Sequence, residues 1–348
     1  MKTIGFILLV LLLSPSEAWL QSRKPSSIAE LVSYLGADRE QLLYAGAKAE
    51  GKVVWYTSLA GGSYKAIVKA FETKYPGVKV EAYRASGSDL VVRLAEEYKA
   101  RRHIADTMET TEGNLMFMRD GGMLHPYNSP VLKAYPEEAK EEAGKGLYYW
   151  ALARESYIGF TYNKQLLPKS GVPKNFDGLL NPELKGKMGI SVGQTSAKII
   201  GAMIKTKGEE FVKKLKAQNI KLYSIDAPAL VNVIASGEIV ASPAIFQTHT
   251  LLAASKGAPV EWVPMDIVPN NVGSAAVAAK PPHPHGALLM ADFLLGADGQ
   301  GVLEKFYYGS ASKNQPFKRW RPERGLATEK YEKEVLYWEK LLNEIAHK

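Results

Sequence analysis

"YYWALARESYIGFTYNKQLL", residues 148–167, is the stretch whose reading decides the fold. It is rich in aromatic and β-favouring residues and shows no helical period. It reads as one long strand, or as a strand that passes from one domain to another. Upstream, strand-like and helix-like segments alternate: "KVVWYTSLA", "SYKAIVKAFETKYPG", "VKVEAYRA", "SGSDLVVRLAEEYKARR", "ADTMETTEG" and "NLMFMRDGG". Downstream the alternation resumes with "MGISV", "AKIIGAMIKTKG", "IKLYSI", "DAPALVNVIASGE", "IVASPAIF", "QTHTLLAASKG" and "APVEWV". Strands alternating with helices of this length imply βαβ units and mostly parallel sheets. The aromatic stretch then becomes the connection between two α/β halves.

The remaining segments frame these halves. Residues 19–50 read as a helical lead-in, with capping Ser or Asp residues, apolar helical spacing and terminal glycines. A strand, "VGSAAVAA", and a helix opened by proline, "PPHPHGALLMADFLLG", follow the second half, and residues 328–348 close the chain as an amphipathic helix. The 348 residues, 46% apolar and 23% charged, suit two domains with ordinary cores.

The first residues read as an export signal. Lys2 precedes an apolar run over residues 4–13, and Ser16-Glu17-Ala18 places small residues where a signal peptidase reads them. The run is too short to span a bilayer, which takes roughly 20 apolar residues. Cleavage after Ala18 and a periplasmic location are therefore expected. The chain has no cysteine, which excludes disulfides, thiol catalysis and a cysteine-linked lipid anchor. Its +8 formal charge favours anions by steering, but Lys and Arg are interspersed with acids, so nucleic acid is not expected.

No enzyme signature is present: there is no G-x-S-x-G, no H-E-x-x-H and no P-loop. His283 and His285 read as a solvent-facing helix start rather than a metal site. What stands out is the chemistry of the turns after strands. "YTSLAGGS", "RASGSD", "ETTEG", "VGQTSAK", "YSIDAP" and "IFQTH" are rich in small polar residues. In an open α/β sheet such turns lie at the carboxyl edge, where ligands bind. Each opens a helix, exposing unpaired N–H groups that attract an anion. The same residue types also serve as plain helix caps. Arg154, inside the connecting stretch, reads either as a ligand clamp or as half of a structural ion pair.

The ordered segments "GKVVWYTSL", "AFETKYPGVKVEAYRASGSDLVVRL", "ADTMETTEG", "ESYIGFTYNKQLL", "LKGKMGIS", "ASGEIVASPA", "GAPVEWVPMD" and "ADFLLGADGQ" resemble the periplasmic solute-binding proteins of ABC importers, in the ferric-iron-type branch of the two-lobed type II fold. The resemblance covers roughly residues 50–310. It implies two α/β lobes: residues 51–152 with 268–310, and residues 153–267 with 311–348. It also implies a β-rich hinge crossed more than once, closure on one small ligand, and delivery to an inner-membrane permease with its ATPase. The protein is expected to act as a monomer without a cofactor.

Carried over by position, the resemblance puts Thr57, Ser58, Ser86, Gly87, Ser88, Thr110, Thr111 and Glu112 on the first lobe's side of the cleft, and the neighbouring Tyr56 is a candidate for its apolar wall. Thr195, Ser196, Ala197 and Arg154 match family positions on the other side, and the turns of the second half add Gln194, Tyr223, Ser224, Phe246, Gln247 and His249 as candidate ligand contacts. In iron-binding members the turn matching Thr195–Ser196–Ala197 grips a phosphate or carbonate, assisted by an Arg matching Arg154. Those members also carry a tyrosine pair where this chain has Ile245, Phe246 and Gln247, and a histidine near Ala60. Phenylalanine cannot coordinate ferric iron. A small organic anion, carboxylate or phosphorylated, is therefore the expected ligand. Ferric iron with a synergistic anion, or a periplasmic enzyme acting on a small anion, are the alternatives.

Overall fold

The computed structural model describes residues 25, 27–59 and 61–347. The export signal and Ala60 lie outside the described residues.

The lead-in forms α1 (Ile28–Leu31) and α2 (Arg39–Glu50), and α2 packs on the first lobe. That lobe continues with β1 (Lys52–Thr57), α3 (Ser63–Lys74), β2 (Lys79–Arg84), α4 (Gly87–Lys99), β3 (Thr107–Thr111), α5 (Glu112–Asp120), β4 (Leu124–His125) and β5 (Lys140–Gly144). β1 pairs in parallel with both β2 and β3, as βαβ alternation requires.

The opening stretch is one strand, β6 (Leu147–Asn163), 17 residues long and buried from Trp150 onward. Its first part pairs with β5 and its last part with strands of the second lobe, so the single strand belongs to both sheets. Burial along nearly its whole length explains why apolar and aromatic residues show no alternation there.

The second lobe comprises β7 (Gly189–Ser191), α6 (Gln194–Lys207), α7 (Glu209–Lys214), β8 (Ile220–Tyr223), α8 (Ala227–Ser236), β9 (Ala241–Phe246), α9 (Gln247–Ser255) and β10 (Val260–Val263). β7 and β8 are parallel, whereas β9 and β10 run antiparallel to β6. The chain then returns through β11 (Val268–Ala278), antiparallel to β6 and to β3. It adds α10 (Pro284–Leu295) and α11 (Ala297–Glu304) to the first lobe. A third passage follows: Gly309 bridges Glu155, β12 (Arg319–Trp320) pairs with the start of β11, and α12 (Thr328–Ile345) packs on α6 before β13 (Ala346–His347) joins β8. Parallel pairing thus joins the βα strands of each lobe and also holds the short β12 and β13, whereas β9, β10 and β11 pair antiparallel with β6.

Each lobe has separate cores. One joins α2, α3, α10 and α11 to one face of the first sheet, and another lies beneath α4 and α5 on its other face. In the second lobe α6, α7 and α12 enclose a core, and α8 and α9 cover the opposite side. No helix among the described residues is long and apolar enough to cross a membrane.

The start of α10 differs from the sequence reading. His283 Nδ1 lies 2.8 Å from Asp106, and His285 Nδ1 lies 2.7 Å from Glu50. The two histidines are half-buried and bonded to carboxylates. Asp106 and Glu50 also accept the His283 and His285 backbone N–H groups, so acids supply the caps that the helix start lacks in itself.

Candidate functional site

Four of the six turns singled out in the sequence, those holding Ser58, Thr111, Lys198 and Phe246, meet the β6–β11 ribbon. Gly273 on β11 stands opposite Arg154 on one side and Thr111 on the other. A Cβ on Gly273 would overlap both Glu109 and the Arg154 guanidinium, so glycine leaves room for that pair. Arg154 Nε donates to Glu109 Oε1 at 2.9 Å, and Nη2 lies 3.5 Å from Ser58 Oγ. Glu109 also accepts from Thr57 Oγ1 at 2.6 Å. Burial works against the arginine's charge, and Glu109 more than restores it. Of the two readings of Arg154, the structure shows the ion pair. Its charge is matched before any ligand arrives, so it does not stand ready to neutralise an acid group.

Lys198, in the second turn of α6, reaches the same face of the ribbon. Its Nζ donates to Asn271 Oδ1 at 3.1 Å and pairs with Glu323 at 3.4 Å. Asn271 and Gly273 are two residues apart on β11 and so share a face. The Ser58–Arg154–Glu109 group of the first lobe and the beginning of α6 therefore meet on one side of the ribbon. The end of β9 is also at the ribbon, because Phe246 pairs with Ile158.

On the first lobe most polar groups at the strand ends are already satisfied. Ser86 caps α4 by accepting from Asp89 N–H, donates to the Asp89 carboxylate, and lies 3.0 Å from Ser88 Oγ. Gly87 abuts Asn114, whose amide donates to Thr110 and Thr111 at 3.2 and 2.7 Å. Asn114 was not singled out in the sequence, although its place three residues after Thr111 on a helix start puts it within reach. Two expectations do not hold for the side chains concerned. Tyr56 points beneath α4, where its hydroxyl donates to Glu97 at 2.5 Å. Glu112 is sealed against Trp150 Nε1 at 3.0 Å and Arg321 at 3.3 Å. Burial pushes its carboxyl up to about 7, with Arg321 opposing.

The second lobe differs. The turn before α6 passes through Gly193 at φ +103°, a conformation that L side chains rarely adopt, so the residue preceding the helix brings no side-chain cap. No acid lies in the first turn of α6. Gln194 is exposed, Thr195 half-buried, and Ser196 and Ala197 are buried. Ser196 Oγ is fully enclosed and has no hydrogen-bond partner among the described residues. α9 begins in the same way: Phe246 supplies no cap, no acid follows, and His249 Nδ1 is enclosed without a partner. The His249 ring stands edge-on to Phe246 at 5.3 Å, with half-buried Gln247 between the two in sequence. Burial lowers the His249 pKa to about 4, with Asp226 opposing, so the ring is neutral at pH 7. α8, by contrast, is capped by Asp226, which accepts from Ala229 N–H at 2.9 Å. Tyr223 turns away to Glu238 at 2.9 Å, leaving exposed Ser224 at that turn.

The arrangement offers bare helix starts and neutral polar atoms rather than a metal centre. Among the described residues no group of three His, Cys, Asp or Glu could hold a metal ion.

Known proteins agree with this architecture. Iron-bound HitA from Pseudomonas aeruginosa superposes with a TM-score of 0.67 at 21% identity, over 84% of this chain and 99% of its own. The periplasmic binding protein AfuA from Actinobacillus pleuropneumoniae, with exogenous fructose-6-phosphate bound, gives 0.65 at 22% identity, over 85% and 99%. The substrate-binding protein of an ABC transporter from Agrobacterium tumefaciens gives 0.69 at 14% identity, over 85% and 96%. A Haemophilus influenzae protein described only as uncharacterized is 26% identical over 271 residues, 74% of this chain and 77% of its own. The family model described as bacterial extracellular solute-binding protein matches residues 66–309, and with its two α/β lobes on a shared ribbon this chain belongs to that family of ABC-importer binding proteins.

Proposed function

We propose that the protein captures a small anionic organic solute, a carboxylate or a phosphorylated compound, between its lobes in the periplasm and delivers it to an inner-membrane ABC permease. The observation that carries this reading is the bare start of α6. A 14-residue helix with neither cap nor first-turn acid leaves N–H groups and a positive dipole end for an anion. The unpartnered Ser196 Oγ beside it fits a donor to the same acid group. Lys198 fixes this helix start to the ribbon, so the cradle is organised before the ligand arrives.

The start of α9 supports the organic part of the assignment. Phe246 offers an apolar edge, and neutral His249 offers a hydrogen bond rather than a charge. A neighbour carrying a sugar phosphate fits this chemistry better than one carrying iron, because Ile245, Phe246 and Gln247 provide no tyrosinate.

Native mass spectrometry of freshly purified protein, followed by calorimetric titration of the retained acid and of a panel of carboxylates and phosphate monoesters, tests the reading. The expected result is one bound anion per chain, weakened several-fold by Ser196→Ala. Loading with ferric iron in preference to every organic acid overturns it.

A further inference from the structure

The two faces of the β6–β11 ribbon are chemically different. Asn271 and Gly273 face the cleft, so Asn270 and Val272 face the other way, together with Glu155 opposite Val272. On that far face lies a groove of about 470 Å³, bounded by residues 136–139 of the first lobe, the ribbon, and the returning chain around β12. None of the six strand-end turns lines it.

The charged groups along the groove are engaged to different degrees. Glu155 is fully engaged: it accepts from Tyr157 at 2.5 Å, from Asn270 Nδ2 at 2.6 Å and from Arg319 at 2.7 Å. Arg321 donates to the Glu138 carbonyl and lies beside Glu112. Arg324 is exposed, and its guanidinium has no hydrogen bond or ion pair among the described residues. Two of the three groove arginines are thus already engaged, by Glu155 and Glu112, and Arg324 is the one whose guanidinium stands free among the described residues. Asn270 adds a second, independent observation. It is 2% exposed, and its Oδ1 is enclosed and accepts nothing. Because Nδ2 donates to Glu155, the amide cannot flip, and the free atom is an acceptor. A buried acceptor without a donor is destabilising, and a ligand hydroxyl would relieve that cost.

We propose that this groove is a second binding site, separate from the cleft, for a small hydroxycarboxylate. A carboxylate takes the Arg324 guanidinium, whose planar fork matches it. A hydroxyl of the same molecule donates to Asn270 Oδ1.

Calorimetric titration with citrate, malate and propane-1,2,3-tricarboxylate, which has citrate's carboxylates without its hydroxyl, tests both contacts. Citrate or malate is expected to bind the wild-type protein, and the tricarboxylate at least tenfold more weakly than citrate. Arg324→Glu is expected to reduce the hydroxy-acid affinity at least tenfold. Absence of binding by both hydroxy acids overturns the proposal, as does equal affinity for citrate and its deoxy analogue. Binding that survives Arg324→Glu but is weakened several-fold by Ser196→Ala places the anion in the cleft, which sinks the groove and leaves the cleft reading intact.

Discussion

The two lobes carry similar strand-to-helix turns and leave them in different states. "RASGSD" and "VGQTSAK" are both small, polar strand-to-helix turns. In the first lobe the turn closes on itself, with Ser86 capping α4 and bonding Asp89. In the second lobe Gly193 contributes no cap, and Ser196 is buried without a partner. The same contrast extends outward: Arg154, Thr57 and Glu109 satisfy one another, whereas His249 Nδ1 has nothing. A turn rich in serine and glycine is therefore not by itself a binding turn. What distinguishes the two is whether the local groups have already satisfied the helix start.

The settled side should respond to mutation as structure, and Arg154 is the sharpest case. Arg154→Ala leaves Glu109 buried without its cation, which costs about 3–5 kcal/mol. Chemical denaturation should show that loss without any ligand present, and the Arg154→Ala/Glu109→Ala pair should recover part of it. Retention of full stability by Arg154→Ala, with binding alone impaired, would reverse the assignment of the two lobes' roles.

Glu112 tests the same side through pH. Its folded pKa, pushed up to about 7, stands above its ordinary value of 4.5, so the folded state holds more protons than the unfolded state between those limits. Stability from this group is therefore present at acidic pH and lost as pH rises through about 7. The full shift corresponds to about 3 kcal/mol. Glu112→Gln should remove that slope, so the difference between the two proteins' stabilities should change between pH 4.5 and 7.5 and level off outside that range. A constant difference across the range would mean that Glu112 is solvated and open to the cleft.

Much of this architecture was legible in the sequence, because burial and helix periodicity leave their mark on apolar spacing. The long strand was visible in "ALARESYIGFTYN", as were the alternating elements around it. Side-chain partners were not. Glu109 sits inside "TMETT", where nothing local signals that a residue 45 positions later will pair with it. Tyr56 and Thr57 are adjacent, yet strand alternation sends one beneath α4 and the other towards Arg154. Glu323 and Arg321 lie in a charged, aperiodic segment, and only the third passage of the chain brings them to Lys198 and Glu112. Whether a turn is capped depends on geometry: "SGSD" and "GQTS" differ little in composition and strongly in what their side chains reach.

The bare side should respond to charge. Thr195→Asp places an acid in the first turn of α6, where it complements the dipole and stabilises the helix modestly. The same carboxylate repels an incoming anion. Thermal unfolding should show an unchanged or slightly higher Tm, and titration a loss of about a hundredfold or more in affinity, a fall of about 2.7 kcal/mol. Equal binding by this variant would mean that the anion sits elsewhere.

The smallest effects separate the lobes most cleanly, because they use one substitution twice. Ser86→Ala removes a working cap and should cost about 1 kcal/mol of stability. It should leave solute affinity nearly unchanged, because that hydroxyl is spent on Asp89. Ser196→Ala removes a buried hydroxyl that has no partner. Stability should hold or rise slightly, since an unsatisfied polar group leaves the interior. Affinity should fall by about 1 kcal/mol, roughly fivefold, for one lost neutral hydrogen bond. Denaturation and titration of both variants give four numbers, and the contrast requires them to cross: stability lost in one lobe, binding lost in the other. If both variants lose only stability, the second lobe's turn is a cap like the first.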